Sequence, residues 1–273
     1  GVAYIPPCLR ESVSIIQTAQ QNKLPVLIQP GDIRGIIHNH SNWSDGTNTI
    51  EEMARALMAR GMEYFVISDH SKSATYANGL TEQRIAEQHA YIDELNKKLA
   101  PFKIYKSIEC DILGTGQLDY SNEVLAGFDL VIASVHSNLQ MNEEKAMQRL
   151  LTAIQNPYTT ILGHMTGRLL LSRNGYPVDH KAIIDACAAH QVAIELNAHP
   201  RRLDIDWQWI PYALEKNVLI SINPDAHFID GFNDVTYGVL AAQKGGLTKE
   251  SNLSSFSLQA FDDYISQRKA AIK

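Results

Sequence analysis

Ile33-Arg-Gly-Ile-Ile-His-Asn-His-Ser-Asn-Trp-Ser-Asp-Gly46 is a short apolar run that ends in His38-x-His40, with Asp45 following after a polar turn. Histidines at i and i+2 of an extended strand share a face, and a Ser/Gly-rich turn lets a carboxylate fold back beside them. The stretch predicts a strand that delivers metal ligands at its end. Because His-x-His also occurs as an ordinary surface pair, the remainder of the chain has to decide.

Outward from this stretch a pattern repeats. Apolar, β-branched runs recur at 33–37, 64–67, 103–108, 130–135, 159–162, 192–196 and 218–222, which makes seven candidate strands. Helical patterns separate them. The first is capped by Thr49 with Glu52 three residues on and closed by Gly61; others span 81–99, 142–155, 178–189, 206–216, 234–243 and 258–269. Nearly continuous apolar strands alternating with helices predict a parallel sheet covered on both faces, and seven such units predict an α/β fold, a seven-stranded (β/α)7 barrel. A chain of 273 residues suits one barrel, which commonly needs about 250. Residues 1–32, with four prolines and one helical segment, read as a lead-in or linker, and 33–273 as the barrel.

Composition narrows the class. With 45% hydrophobic and 20% charged residues the chain reads as globular, and no apolar run approaches the ~20 residues that cross a bilayer. The first 18 residues lack the basic-then-apolar order of a signal peptide, so a cytoplasmic location is expected. Three widely spaced cysteines offer neither a disulfide framework nor a thiolate zinc site. A net charge of -6 argues against a broad electropositive groove for duplex nucleic acid.

The polar residues at the strand ends carry the chemistry. In order these are His38, His40 and Asp45, then Asp69-His70, Glu109, His136, His164, Asn197 and Asp225-x-His227. The carboxyl ends of barrel strands are where functional groups collect, and six of the ten histidines fall there. Taking His38, His40, Asp45, His70, Glu109, His136, His164, Asp225 and His227 as ligands gives a set suited to three divalent ions. Imidazole and carboxylate without thiolate favour zinc, manganese or iron(II). Asp69 is expected to orient a ligand rather than to be one. Three carboxylates against three divalent ions leave a cationic pocket in an acidic chain. Such a pocket attracts phosphate and lowers the pKa of a bound water to about 7, so a metal-bound hydroxide is the expected nucleophile. Lys72, Arg168, Asn197, Arg201 and Arg202 are the candidate substrate-binding residues, with His199 a candidate proton donor. No nucleophile elbow, phosphate loop or dinucleotide fingerprint competes.

With these motifs in place, residues 33–273 resemble the PHP (polymerase and histidinol phosphatase) domain. Ser-Asp-His-Ser71, Glu-Cys-Asp-Ile-Leu113, Ala-Ser-Val-His-Ser137, Gly-His-Met-Thr-Gly-Arg-Leu-Leu170 and Pro-Asp-Ala-His227 look like the C-terminal PHP module of bacterial family X DNA polymerases, and Tyr-Ile-Pro-Pro-Cys-Leu-Arg-Glu11 looks like the end of the polymerase core. The resemblance implies a distorted seven-stranded barrel with a trinuclear centre in which the nine residues above take the ligand roles. It also implies 3′→5′ exonuclease or 3′-end processing of DNA in repair, often supported by manganese. DNA 3′ ends would be presented by a polymerase core outside this chain. The alternatives are a phosphomonoesterase of the histidinol-phosphatase kind acting on a small substrate, and a non-catalytic structural module of a polymerase.

Overall fold

Strands that are apolar on both faces need cover on both sides, and helical crossovers between parallel strands supply it. The computed structural model describes residues 1–272. It contains β1 (Gly35–Ile36), β2 (Tyr64–Ile67), β3 (Lys103–Asp111), β4 (Leu130–Ser134), β5 (Thr159–Leu162), β6 (Ala193–Asn197) and β7 (Ile220–Asn223), paired in parallel in that order. After α1 (Ser14–Gln20), the crossovers are α2 (Ile50–Ala59), α3 (Glu82–Leu99), α4 (Asn122–Leu125), α5 (Glu143–Gln155), α6 (His180–His190) and α7 (Ile210–Glu215), with α8 (Val235–Lys244) and α9 (Leu258–Ala271) following β7. The expected (β/α)7 barrel is the observed fold. Thr49 and Glu52 form the capping box of α2, and Thr81, Asn142, Asp179 and Ser257 accept from the first turns of α3, α5, α6 and α9.

Alternation along the strands divides the interior into two layers. Ile37, Tyr64, Val66, Tyr105, Leu130, Ile132, Ile161 and Ala193 form an inner apolar core, plugged from below by Leu253 and by Phe261 and Ile265 of α9. The Tyr64 ring fills the space beside Gly35, where a Cβ would stand 2.1 Å from it. Towards the carboxyl ends the inward positions turn polar: Ser107, Glu109 and Asp111 on β3, Ser134 on β4, Glu195 and Asn197 on β6, and Ser221 and Asn223 on β7, all buried. The apolar floor supports a polar bowl.

The seam between β7 and β1 is closed by other means than a strand ladder. Low in the barrel, Asn252 pairs with Ile220, its Oδ1 accepts from Ile222 N at 3.1 Å, and Ser254 O accepts from Arg34 N at 2.9 Å. At the mouth Asn39 bridges Ala226, and His40 N donates to Ala226 O at 2.9 Å.

Three local expectations need correction. β1 is two residues long, because His38 lies at φ 64 and leaves the extended conformation. The shared direction of His38 and His40 therefore comes from a left-handed kink rather than from simple alternation. β3 continues through Glu109 to Asp111, pairing with Ile132 and Ser134, so Glu109 stands inside a strand and not at its exit. The helix expected over 206–216 is a 3-10 turn, Trp207–Trp209, followed by α7, since Pro211 lacks an N–H and fits only the first helical turn. The lead-in lies on α8: Leu9, Ala19 and Ile28 are buried, Ile28 N donates to Leu247 O, and Gln243 Nε2 donates to Ile28 O.

Candidate metal centre

Glu109 occupies the middle of the bowl because it is the fourth inward residue of β3 counted from Lys103. Its Oε1 lies 3.2 Å from His38 Nε2, 3.1 Å from His136 Nε2 and 2.9 Å from His164 Nε2; its Oε2 lies 3.1 Å from His70 Nδ1 and 3.5 Å from His40 Nε2. Asp225 Oδ1 approaches His40 Nε2 at 3.1 Å and His38 Nε2 at 3.5 Å. Asp45 Oδ1 faces His227 Nε2 at 3.5 Å, His70 Nε2 at 3.7 Å and His40 Nδ1 at 3.9 Å. All nine predicted ligands are thus brought together.

Three groupings emerge within the bowl: His40, Asp45, His70 and His227; His38, His40 and Asp225; and His70, Glu109 and His136. His164 joins through Glu109. Buried polar atoms ordinarily find hydrogen-bond partners, yet His38 Nε2, His40 Nδ1, His70 Nδ1, Glu109 Oε2 and His164 Nδ1 have none among the described residues. Four of these five atoms lie within 4 Å of a carboxylate or imidazole of another candidate ligand without forming a hydrogen bond to it, as ligand atoms awaiting cations would. The donor set fits divalent cations held by imidazole and carboxylate.

Electrostatics agree. Burial works to raise the Glu109 carboxyl, but His136, His38 and His70 outweigh it and hold the group well below its ordinary range. Burial likewise opposes protonation of His136 and His227; Glu109 and Asp111 push the first up to about 10, and Asp45 and Asp225 push the second up to about 9. His40, buried and stacked at 4.2 Å against both His70 and His227, falls to about 3. A cation that needs neutral imidazoles would expel the protons of His136 and His227.

Behind the nine stands a supporting layer that the sequence reading left out. Glu195, fully buried in β6, accepts from His38 Nδ1 at 2.5 Å, from His164 N at 3.0 Å, and from the amides of Asn197 and Asn223. Asp111 is hydrogen-bonded to His136 Nδ1. Each carboxylate fixes the tautomer that leaves the opposite ring nitrogen facing the centre. The signal available in sequence was a glutamate in the middle of an apolar strand, Ala-Ile-Glu-Leu-Asn197, and an aspartate two residues from Glu109. Asp69 orients a loop instead of a ring: it accepts from Ser41 N, Ser41 Oγ, Ser44 Oγ and Gln88 Nε2, and so sets the turn that carries Asp45. Backbone strain marks the same place, with His38 at φ 64 and Asp225 at φ 53; such conformations cost about 1–3 kcal/mol each and persist where surrounding structure fixes them.

The candidate substrate residues divide. Arg202 reaches the centre, its Nε 3.6 Å from Asp225 Oδ2. His199 lies at the rim, where its N–H donates to Asn197 Oδ1 and its Nδ1 accepts from Arg201 N. Asn197 is fully buried and donates to Glu195 and Asp225, so it holds carboxylates in place. Arg168 is engaged with Asp206 and with the carbonyls of Arg202 and Leu203. Lys72 is paired with Glu82. Arg201 has an exposed side chain beside these loops.

Comparison with known proteins places these observations in context. The model of the PHP domain matches residues 37–199. The chain is 41% identical over 265 residues to "DNA polymerase/3'-5' exonuclease PolX" of Bacillus subtilis, an alignment that takes in 97% of this chain and 46% of that protein. It therefore spans about half the length of that relative. A "Probable phosphatase" of Acetivibrio thermocellus is 26% identical over 83% of this chain and 92% of its own length. Among solved structures, histidinol phosphate phosphatase from Lactococcus lactis, complexed with zinc, L-histidinol and phosphate, superposes with a TM-score of 0.59 at 17% identity, covering 78% of this chain and 94% of that one, and shares the fold.

Proposed function

The chain belongs to the PHP family of metal-dependent hydrolases, and from that premise we propose that it is a phosphodiesterase that removes nucleotides from DNA 3′ ends in the 3′→5′ direction. The 41% identity to the Bacillus subtilis protein, over almost the whole of this chain, carries the reading. The nine residues around Glu109 would hold three divalent ions, manganese, zinc or iron(II). When bound, such ions polarise a phosphoryl oxygen and bring the pKa of a water near 7.

The rest falls to the protein. Glu195 and Asp111 hold His38 and His136 with the correct nitrogen inward. Arg202, beside Asp225, offers the guanidinium nearest the centre, suited to a phosphate oxygen. His199, whose Nδ1 is occupied by the Arg201 amide, has Nε2 available to deliver a proton to the leaving oxygen. Residues 1–32 serve as the junction to a polymerase core that would present DNA, consistent with their packing on α8.

A phosphomonoesterase is the second reading, favoured by the likeness to the Acetivibrio protein along nearly all of its length. One panel separates the two. The protein is reconstituted with Mn²⁺ or Zn²⁺ and given a 3′-hydroxyl oligonucleotide, a dinucleotide and histidinol phosphate. The proposal expects mononucleotide release from the first two at rates at least ~100-fold above hydrolysis of the third; the reverse order would reject it in favour of the phosphatase.

A further inference from the structure

Tyr76 stands out from its surroundings. It is 71% exposed, although the loop beneath it is fixed at many points. Ala74 and Ala77, on either side, are buried. Ser73 N donates to Asp119 at 2.7 Å, and Ser73 Oγ donates to Asp111 at 2.6 Å. Leu80 N donates to His70 O at 2.8 Å, and Asn78 closes the turn in the left-handed conformation. At Gly79 a Cβ would meet Ser71 O at 1.9 Å, so the loop is folded tightly back on itself. A rigid backbone is thus presenting an unburied aromatic ring.

The ring leans over the mouth of the bowl. Its centroid is 6.2 Å from that of His70, at an interplanar angle of 56°. Its hydroxyl makes no hydrogen bond among the described residues, so nothing but the backbone ties the ring to the mouth. An aromatic face held beside a phosphate-cleaving centre can take the flat face of any nucleobase, a contact that is strong and indifferent to sequence. A phosphomonoester without an aromatic group has no such face to offer.

Resting on the phosphodiesterase reading, the geometry points to Tyr76 as the specificity-determining residue that stacks the nucleobase of the terminal nucleotide while the adjoining phosphate enters the bowl. The ring performs this role and the hydroxyl is dispensable.

The test compares wild type, Tyr76→Phe and Tyr76→Ala on two single-stranded oligonucleotides that differ only at the 3′ terminus, one ending in 2-aminopurine and the other in an abasic tetrahydrofuran nucleotide. Quenching of 2-aminopurine is read on chelator-treated protein, and KM and kcat are read after Mn²⁺ is restored. Wild type and Tyr76→Phe should quench the probe, whereas Tyr76→Ala should not and should show a KM raised ~10- to 100-fold on the base-terminated strand. On the abasic terminus all three should agree within about twofold. An equal loss by Tyr76→Ala on both strands would overturn the inference by assigning the ring to the centre itself, and no loss on either would show it idle. If wild type cleaves neither strand but hydrolyses histidinol phosphate, the phosphodiesterase reading fails and this inference with it. If wild type cleaves both and Tyr76→Ala matches it, only this inference fails.

Discussion

Replacing Glu195 by Gln keeps the shape of the side chain and removes one acceptor oxygen, which makes it a sensitive probe of the layer behind the centre. Each oxygen of Glu195 accepts two bonds: Oε2 from His38 Nδ1 and Asn223 Nδ2, Oε1 from His164 N and Asn197 Nδ2. If the new NH2 faces His38, the ring must change tautomer, and Nε2 then carries a hydrogen into the bowl where a lone pair is needed. If it faces the other way, it opposes the His164 backbone N–H, which cannot turn, and a buried donor is stranded at about 1–3 kcal/mol. Changes to such supporting partners typically lower metal affinity ~10- to 100-fold. Glu195→Gln should therefore bind Mn²⁺ or Zn²⁺ with a Kd raised by that factor, measured by competition with a chromophoric chelator. The metal-free protein should melt on the order of 2–10 °C lower. A variant with wild-type Kd and wild-type Tm would refute the account of how His38 is oriented.

Two further outcomes follow from the same geometry. Asp225→Asn removes the charge shared by His38 and His40 while keeping the hydrogen-bonding shape, so turnover should fall at least ~1000-fold with the circular dichroism spectrum unchanged; retained turnover at full metal occupancy would remove Asp225 from the ligand set. In chelator-treated protein, His136 and His227 have pKa values raised to about 10 and about 9, so their stabilising contribution is complete below about pH 6.5 and disappears as pH rises through those values; Tm should decline between pH 7 and 10, and a flat profile would contradict the shifts.

Much of the architecture was legible because it depends on periodicity. The runs at 64–67 and 159–162 match β2 and β5 residue for residue, since strands covered on both faces read as unbroken apolar segments. The nine candidate ligands were legible because histidines and carboxylates are conspicuous after such runs. What supports them was not. Glu195 and Asp111 lie inside strands, where a lone acid looks like an interruption until its neighbours on other strands are known. The left-handed turns at His38 and Asp225 have no glycine to announce them. The basic candidates on loops fared differently from one another because long side chains pair with whatever the tertiary fold brings near: Arg202 meets Asp225, whereas Arg168 meets Asp206 and Lys72 meets Glu82.

The seam between β1 and β7 sets a schedule for assembly. His40 and Asp225 meet at 3.1 Å but are 185 positions apart in the chain. During synthesis at about 5–20 residues per second, the first histidines would emerge roughly 10–40 s before the aspartate that completes their grouping. Through that interval the grouping of His38, His40 and Asp225 lacks its carboxylate. A centre that needs His38, His40 and Asp225 together, as proposed, would form only once the last strand is in place.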